Sequence, residues 1–229
     1  MPTAWTVTPL SATDAMRTTP SSKALDAAVA ETVAAVLNAF KLGWVKGWQD
    51  RGVSDTAEFS IRPGGPADAS AVADLHAASW RTAYAGIVPA TVLGDGLVEQ
   101  RRELWAIRLT VDYGEPAATP VLLLAERADG ELLGFCYLVP QPDERVLVDN
   151  LHVRPGLTGA GIGAALLAAA RDWTARVHAG APLYLEVLRD NHRAVAFYER
   201  AGGVRTRTGA AVFPGAGELP EYEYTWARP

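Results

Sequence analysis

The chain has 229 residues, 49% apolar and 21% charged, values that fit a globular fold with its own core and exclude a disordered or fibrous chain. No run of about 18 uncharged apolar residues occurs, so no segment is expected to span a membrane. The formal net charge of −5 argues against nucleic acid as a partner.

Residues 1–22 are rich in Thr, Ser, Pro and Ala and read as a loose arm. Residues 23–50 carry Leu25, Val29, Val33, Val36, Leu37, Phe40, Trp44 and Trp48 at steps of one, three and four, the stripe of an amphipathic helix. Three large aromatic side chains on one stripe need a docking surface, and pairing of two copies into a homodimer through 23–50 is the expectation. Residues 1–55 are therefore read as an N-terminal arm and helix, and residues 56–229 as the main domain.

From Ala57 the pattern changes. Residues 58–62 read as a short strand ended by Pro63 and the glycines after it. Asp68 stands where it can cap a helix running to about Tyr84, marked by Val72, Leu75, Ala78 and Trp80. A second helix, about 95–109, is marked by Leu97, Leu104, Ile107 and Leu109. Strands at 121–126 and 132–139 flank Asp129-Gly130, a hairpin signal. A strand follows at 145–153, a long helix at 161–178 and a strand at 183–188. A helix at 191–201 is closed by Gly202-Gly203 as a left-handed cap. Strands at 204–208 and 221–226 enclose a Gly/Pro loop, 209–220. The order β-α-α-β-β-β-α-β-α-β-β predicts an α/β fold, a mixed sheet with parallel pairing near its middle.

Cys136 is the one cysteine, so no internal disulfide and no cysteine-based metal site can form. It sits in an apolar strand run and reads as core. The four histidines make no zinc-type pair, so no metal is expected. A reducing compartment fits, and with no basic-then-apolar leader the expected location is the cytoplasm.

The sharpest signal is the run from Val153 to Ala164, which joins a strand to the long helix. Gly159, Gly161 and Gly163 leave backbone N–H groups uncovered at the helix start, where the helix dipole adds positive charge, so the turn suits phosphate or pyrophosphate. Two ligands fit this chemistry. Gly159-Ala160-Gly161-Ile162-Gly163-Ala164 formally matches a dinucleotide fingerprint, with Glu186 as the distant acid. However, Pro155-Gly156 separates strand from glycines, and too little chain follows for a doubly wound sheet. The other ligand is coenzyme A.

Here the run Leu151-His152-Val153-Arg154-Pro155, then Thr158-Gly159-Ala160-Gly161-Ile162-Gly163, resembles motif A of the GNAT acetyltransferase superfamily. The family's long Gln or Arg is Thr158 here. Leu185-Glu186-Val187 followed by Asn191 through Gly203 resembles motif B, and Trp80 through Pro89 resembles the W-x-x-A-Y-x-G-x-x-P run of many small-molecule members. The resemblance covers about 58–226. It implies a GNAT-like mixed sheet of six to seven strands flanked by helices, behind the N-terminal helical extension.

It also implies acetyl-CoA as co-substrate and an amine of a small molecule or peptide as acceptor. The strand Leu151, His152 and Val153 would hold pantetheine, with the Leu151 N–H at the oxyanion. The side chain of His152 is read as structural. Thr158, Gly159, Ala160, Gly161, Ile162, Gly163 and Ala164 would hold the pyrophosphate, and Asn191 the pantetheine arm or phosphates. Tyr198 would protonate the leaving thiolate, since a phenol keeps its proton at neutral pH. Asp149 is the chosen base, with Glu126 and Glu186 as rivals; Trp80 and Tyr84 would line the acceptor pocket. The alternative is a module that binds acetyl-CoA without turnover, which retention of Tyr198 speaks against.

Overall fold

The computed structural model describes residues 59–213 and 215–227. The helix expected over 23–50, its dimer role and the boundary at residue 55 lie outside those residues. The described chain forms strands β1 (Phe59–Pro63), β2 (Val121–Arg127), β3 (Leu132–Pro140), β4 (Val146–Val153), β5 (Leu183–Leu188), β6 (Val204–Phe213) and β7 (Gly217–Trp226). Helices α1 (Ala69–Ala83), α2 (Leu97–Arg108), α3 (Ile162–Val177) and α4 (His192–Arg200) lie between them. All seven strands join one sheet in the order β1-β2-β3-β4-β5-β7-β6. Every neighbouring pair is antiparallel except β4 and β5. This is the mixed sheet that the sequence predicts, with its parallel pair at the centre.

Side chains on adjacent strand residues point to opposite faces. On β3, Phe135 joins Val72, Leu75 and Trp105 in the core beneath α1 and α2. At its neighbour Gly134, a Cβ would meet Leu166 and Ile162 of α3. Helices α1 and α2 therefore cover one face and α3 the other. Their apolar stripes are buried: Val72 and Leu75 on α1, Leu166, Leu167 and Trp173 on α3. Each fully buried aliphatic side chain of this kind contributes about 1.5–3 kcal/mol.

Three expectations are corrected. Asp68 does not cap α1 with its side chain. A 3₁₀ turn, Pro66–Asp68, comes first, and the Asp68 carboxylate accepts the Gly65 N–H at 2.9 Å and pairs with Arg62 at 2.8 Å. Ile107, an expected apolar mark of the second helix, is 64% exposed, whereas Trp105 is fully buried. The helix turns its indole inward because the core beneath it accepts the largest side chain available. The region 209–220 is no loop: β6 and β7 continue as a two-stranded ribbon paired from Val204↔Thr225 to Phe213↔Gly217. The glycines that suggested a loop serve its end, where Gly215 and Gly217 hold φ values of +75° and +76°.

Candidate active site

The site begins where the sheet opens. β4 and β5 share only two register pairs, Val146↔Leu183 and Leu147↔Tyr184. Beyond them β5 stays paired to β7 as far as Leu188, and β4 stays paired to β3 as far as Val153. The β5-facing edge of β4 is thus without a strand partner from Val148 onward. Backbone direction alternates along a strand, and the Arg154 N–H donates to the Leu133 carbonyl on the β3 side at 2.8 Å. His152 therefore turns its backbone groups to β3 as well, while Leu151 and Val153 turn theirs to the open edge. An extended ligand can pair with that edge as a strand would. His152, grouped by the sequence with this binding backbone, faces the other way. Its ring lies under α1, with Nδ1 2.8 Å from the Ser79 hydroxyl.

The same strand contains a bulge. Tyr137 pairs with Asn150 and Leu138 with Val148, leaving Asp149 unpaired on β3. The extra residue resets the alternation. Asp149 and His152, which a regular strand would place on opposite faces, both turn toward α1 and α2: Asp149 meets Arg108 of α2 at 2.6 Å, and His152 meets Ser79 of α1. The Asn150 amide also donates to Asp149, and both contacts use Oδ2. Oδ1 has no hydrogen bond among the described residues and is open to a further donor.

Below the open edge, α3 starts at Gly161, whose φ of +81° is the left-handed conformation glycine takes without cost. Gly159 is also left-handed at +99°, and a Cβ at either position would meet nothing within 4 Å. The space beside the turn is empty, and among the described residues the N–H groups of Thr158, Gly159 and Gly161 have no acceptor; Ala160 donates to Leu157 at 3.3 Å. Free donors, the helix dipole and room for close approach together suit a phosphate group. The turn lies next to β4: a Cβ at Gly163 would stand 3.6 Å from the Val153 side chain.

On α4, the Asn191 side chain caps the helix by accepting the Ala194 N–H at 3.3 Å. Its amide NH₂ has no partner among the described residues. Tyr198 is buried, packed near Tyr224 and Trp226, and its hydroxyl has no hydrogen-bond partner among the described residues. Burial first, then Tyr84 and Cys136, push its pKa up, so the phenol holds its proton. Cys136 is fully buried, as the sequence suggested, and burial raises its thiol pKa beyond use as a nucleophile.

The face opposite α3 carries an aromatic wall. Trp80 lies 5.2 Å from Tyr84 and 5.2 Å from Phe213 at the end of β6. Burial pushes Tyr84 up to about 12. Phe213 was missed by the sequence reading because it stood in a supposed loop. Arg101 and Arg108 were missed too, although their spacing gives them away. They sit four residues before and three residues after Trp105, so the rotation that buries Trp105 carries both guanidinium groups to the inner face of α2. Two histidines complete this side. The Trp105 indole N–H donates to His76 Nδ1 at 3.0 Å, and the His76 and His152 rings lie 4.7 Å apart. Burial, then neighbouring positive charge, lowers both; His152 falls to about 3, so both rings are neutral.

Glu186 on β5 shares its face with Tyr184 and Leu147, and so with Asp149. It pairs with Arg207, but burial and the nearby Glu221 carboxylate raise it to about 7, and its Oε2 is buried without a partner. Glu126, the other rival base, pairs with Arg62 at the β1–β2 edge, away from the opening.

The family model described as "Acetyltransferase (GNAT) family" matches residues 80–203. An uncharacterized N-acetyltransferase of Mycobacterium tuberculosis is 37% identical over 97 residues, covering 38% of this chain and 59% of that protein. A streptothricin acetyltransferase of Streptomyces lavendulae is 31% identical over 107 residues, covering 46% and 56%. The chain thus spans less than two thirds of the length of the curated relatives it matches. In fold it is similar to the PaiA N-acetyltransferase of Thermoplasma acidophilum, solved in complex with coenzyme A, with a TM-score of 0.55 and 22% identity over 72% of this chain and 99% of that one. With the opened β4–β5 pair, the glycine turn and a family match over more than half of its length, the chain belongs to the GNAT acetyltransferase family.

Proposed function

We propose that this chain transfers the acetyl group of acetyl-CoA to a primary amine of a small molecule or peptide by direct attack. The observation that carries the reading is the open edge of β4, taken together with the free N–H groups of the glycine turn and the unpartnered hydroxyl of Tyr198. In this reading the backbone of Leu151 and Val153 pairs with pantetheine, Thr158 through Ala164 hold the pyrophosphate, and the free Asn191 amide reaches the arm or phosphates. The relative named for streptothricin supports a small-molecule acceptor.

The amine nitrogen attacks the thioester carbonyl carbon and the N–C bond forms. The Leu151 N–H donates to the oxygen that gains charge, a contact that strengthens in the transition state. Asp149 Oδ1 takes the amine proton, directly or through one water. The C–S bond then breaks, and Tyr198 gives its phenolic proton to the leaving sulfur; solvent restores both groups. Trp80, Tyr84 and Phe213 form the wall against which the acceptor rests. Glu186 is a second candidate for the base, supported by a pKa of about 7 and an unpartnered buried oxygen.

The test is release of free thiol from acetyl-CoA with and without a panel of amines. Amine-dependent release is expected. Tight binding of acetyl-CoA with no amine-dependent release would leave a binding module instead.

A further inference from the structure

The acceptor side of the site holds a positive charge that no carboxylate among the described residues meets as an ion pair. The Arg101 guanidinium lies 4.3 Å from the centroid of the Trp80 ring, with its Nε buried and without a hydrogen-bond partner. Among the described residues no carboxylate lies within ion-pair distance of it. Asp149 acts on it only from beyond ion-pair distance, and Arg108 holds one oxygen of that carboxylate. Its other neighbours offer nothing negative: Arg108 repels it, Tyr84 keeps its phenolic proton, and His76 and His152 are neutral. Burial first, then Arg108, lower the Arg101 pKa, with Asp149 acting in the opposite direction.

A second orphaned donor belongs to another neighbour of Trp80. His76 is 1% exposed, and its Nδ1 accepts from Trp105, so its proton sits on Nε2. That Nε2 is buried and has no acceptor. The His76 ring lies 5.3 Å from the Trp80 ring, so both orphaned donors border the same indole. A buried donor without an acceptor, and a buried cation without an anion, are each costly, and they persist where a ligand supplies what is missing. A planar guanidinium presents two parallel N–H groups that match a carboxylate.

From this we infer that the acceptor is an amine that also carries a carboxylate, and that Arg101 on the Trp80 ring receives the acid, with His76 at the same indole, while the amine meets the thioester. An amino acid or an aminocarboxylate is the substrate class. The inference rests on the acetyl-transfer reading and adds the acceptor's charge to it.

The experiment compares each of a series of α-, β- and γ-amino acids with its own carboxamide. Each pair is matched in size and differs in one charge. Steady-state rates are read on the full chain and on Arg101→Gln and Arg101→Lys, with calorimetric affinity for acetyl-CoA reporting that each variant is folded. In the wild type at least one acid is expected to exceed its amide in kcat/KM by tenfold or more, carried by KM. Arg101→Gln brings that ratio to about one, and Arg101→Lys restores part of it. Amides used as well as acids by the wild type, or a preference for the acid that survives in Arg101→Gln, would overturn the inference and leave acetyl transfer standing. Consumption of simple amines with no acid consumed would overturn it equally. If no amine of any kind is consumed, acetyl transfer itself fails and the acceptor assignment falls with it.

Discussion

Tyr198→Phe is expected to lower turnover by on the order of 10²-fold while acetyl-CoA affinity changes little. The substitution removes one oxygen and keeps the ring, so packing against Tyr224 and Trp226 is retained. No hydrogen bond of the resting protein is lost, because the hydroxyl has none among the described residues. The whole effect then falls on the step in which sulfur leaves. A poised acid contributes about 10²–10⁴-fold to such a step, and the expected loss sits at the lower end of that range. The raised pKa sharpens the expectation: a phenol held protonated by burial stays a donor across the pH range in which the amine is reactive. Equal falls in kcat and kcat/KM mark an interaction made only in the transition state. A change confined to KM would assign Tyr198 to binding, and unchanged turnover would mean that water protonates the thiolate.

Gly161→Val is expected to weaken acetyl-CoA binding at least tenfold, or about 1.4 kcal/mol, read by calorimetry. Two separate effects act on this residue. Valine is a poor fit to a φ of +81°, and its left-handed conformation costs about 1–2 kcal/mol, which lowers stability. The branched side chain would also fill the space beside Gly161, where a Cβ would meet nothing within 4 Å and a phosphate needs to approach the backbone N–H groups. Gly161→Ala separates the two. It bears much of the backbone cost with little of the bulk, so it should lose stability with a smaller loss of affinity. A valine variant that melts lower and binds as tightly as the wild type would place the phosphate elsewhere.

Much of the fold was legible because its signals are local. Leu183–Leu188 is an apolar run bounded by turn residues, and its limits match the observed strand. The strand, glycine turn and long helix around Gly161 announce themselves through residues that need special backbone angles. What was not legible depends on distant partners. Ile107 and Trp105 both suit a buried stripe, and only the space beneath α2 decides for the indole. The ribbon of β6 and β7 has glycines and prolines that read as loop until cross-strand pairing is available. The site divides in the same way. Backbone donors of the turn, and Asn191 at the start of its helix, were visible in the chain. Arg101 and Phe213 reach Trp80 through one helix rotation and one hairpin, and neither is encoded by a motif. The bulge at Asp149 is set by the register between β3 and β4.

The most direct measurement is residue-resolved amide hydrogen exchange along β4, with and without acetyl-CoA. The Leu151 and Val153 N–H groups face the open edge, and His152 is already bonded toward β3. Acetyl-CoA is therefore expected to slow exchange at Leu151 and Val153 by at least tenfold, and to slow the free donors at Thr158, Gly159 and Gly161, with a smaller change at His152. Acetyl-CoA that binds and leaves Leu151 and Val153 exchanging at their unliganded rates would contradict the account.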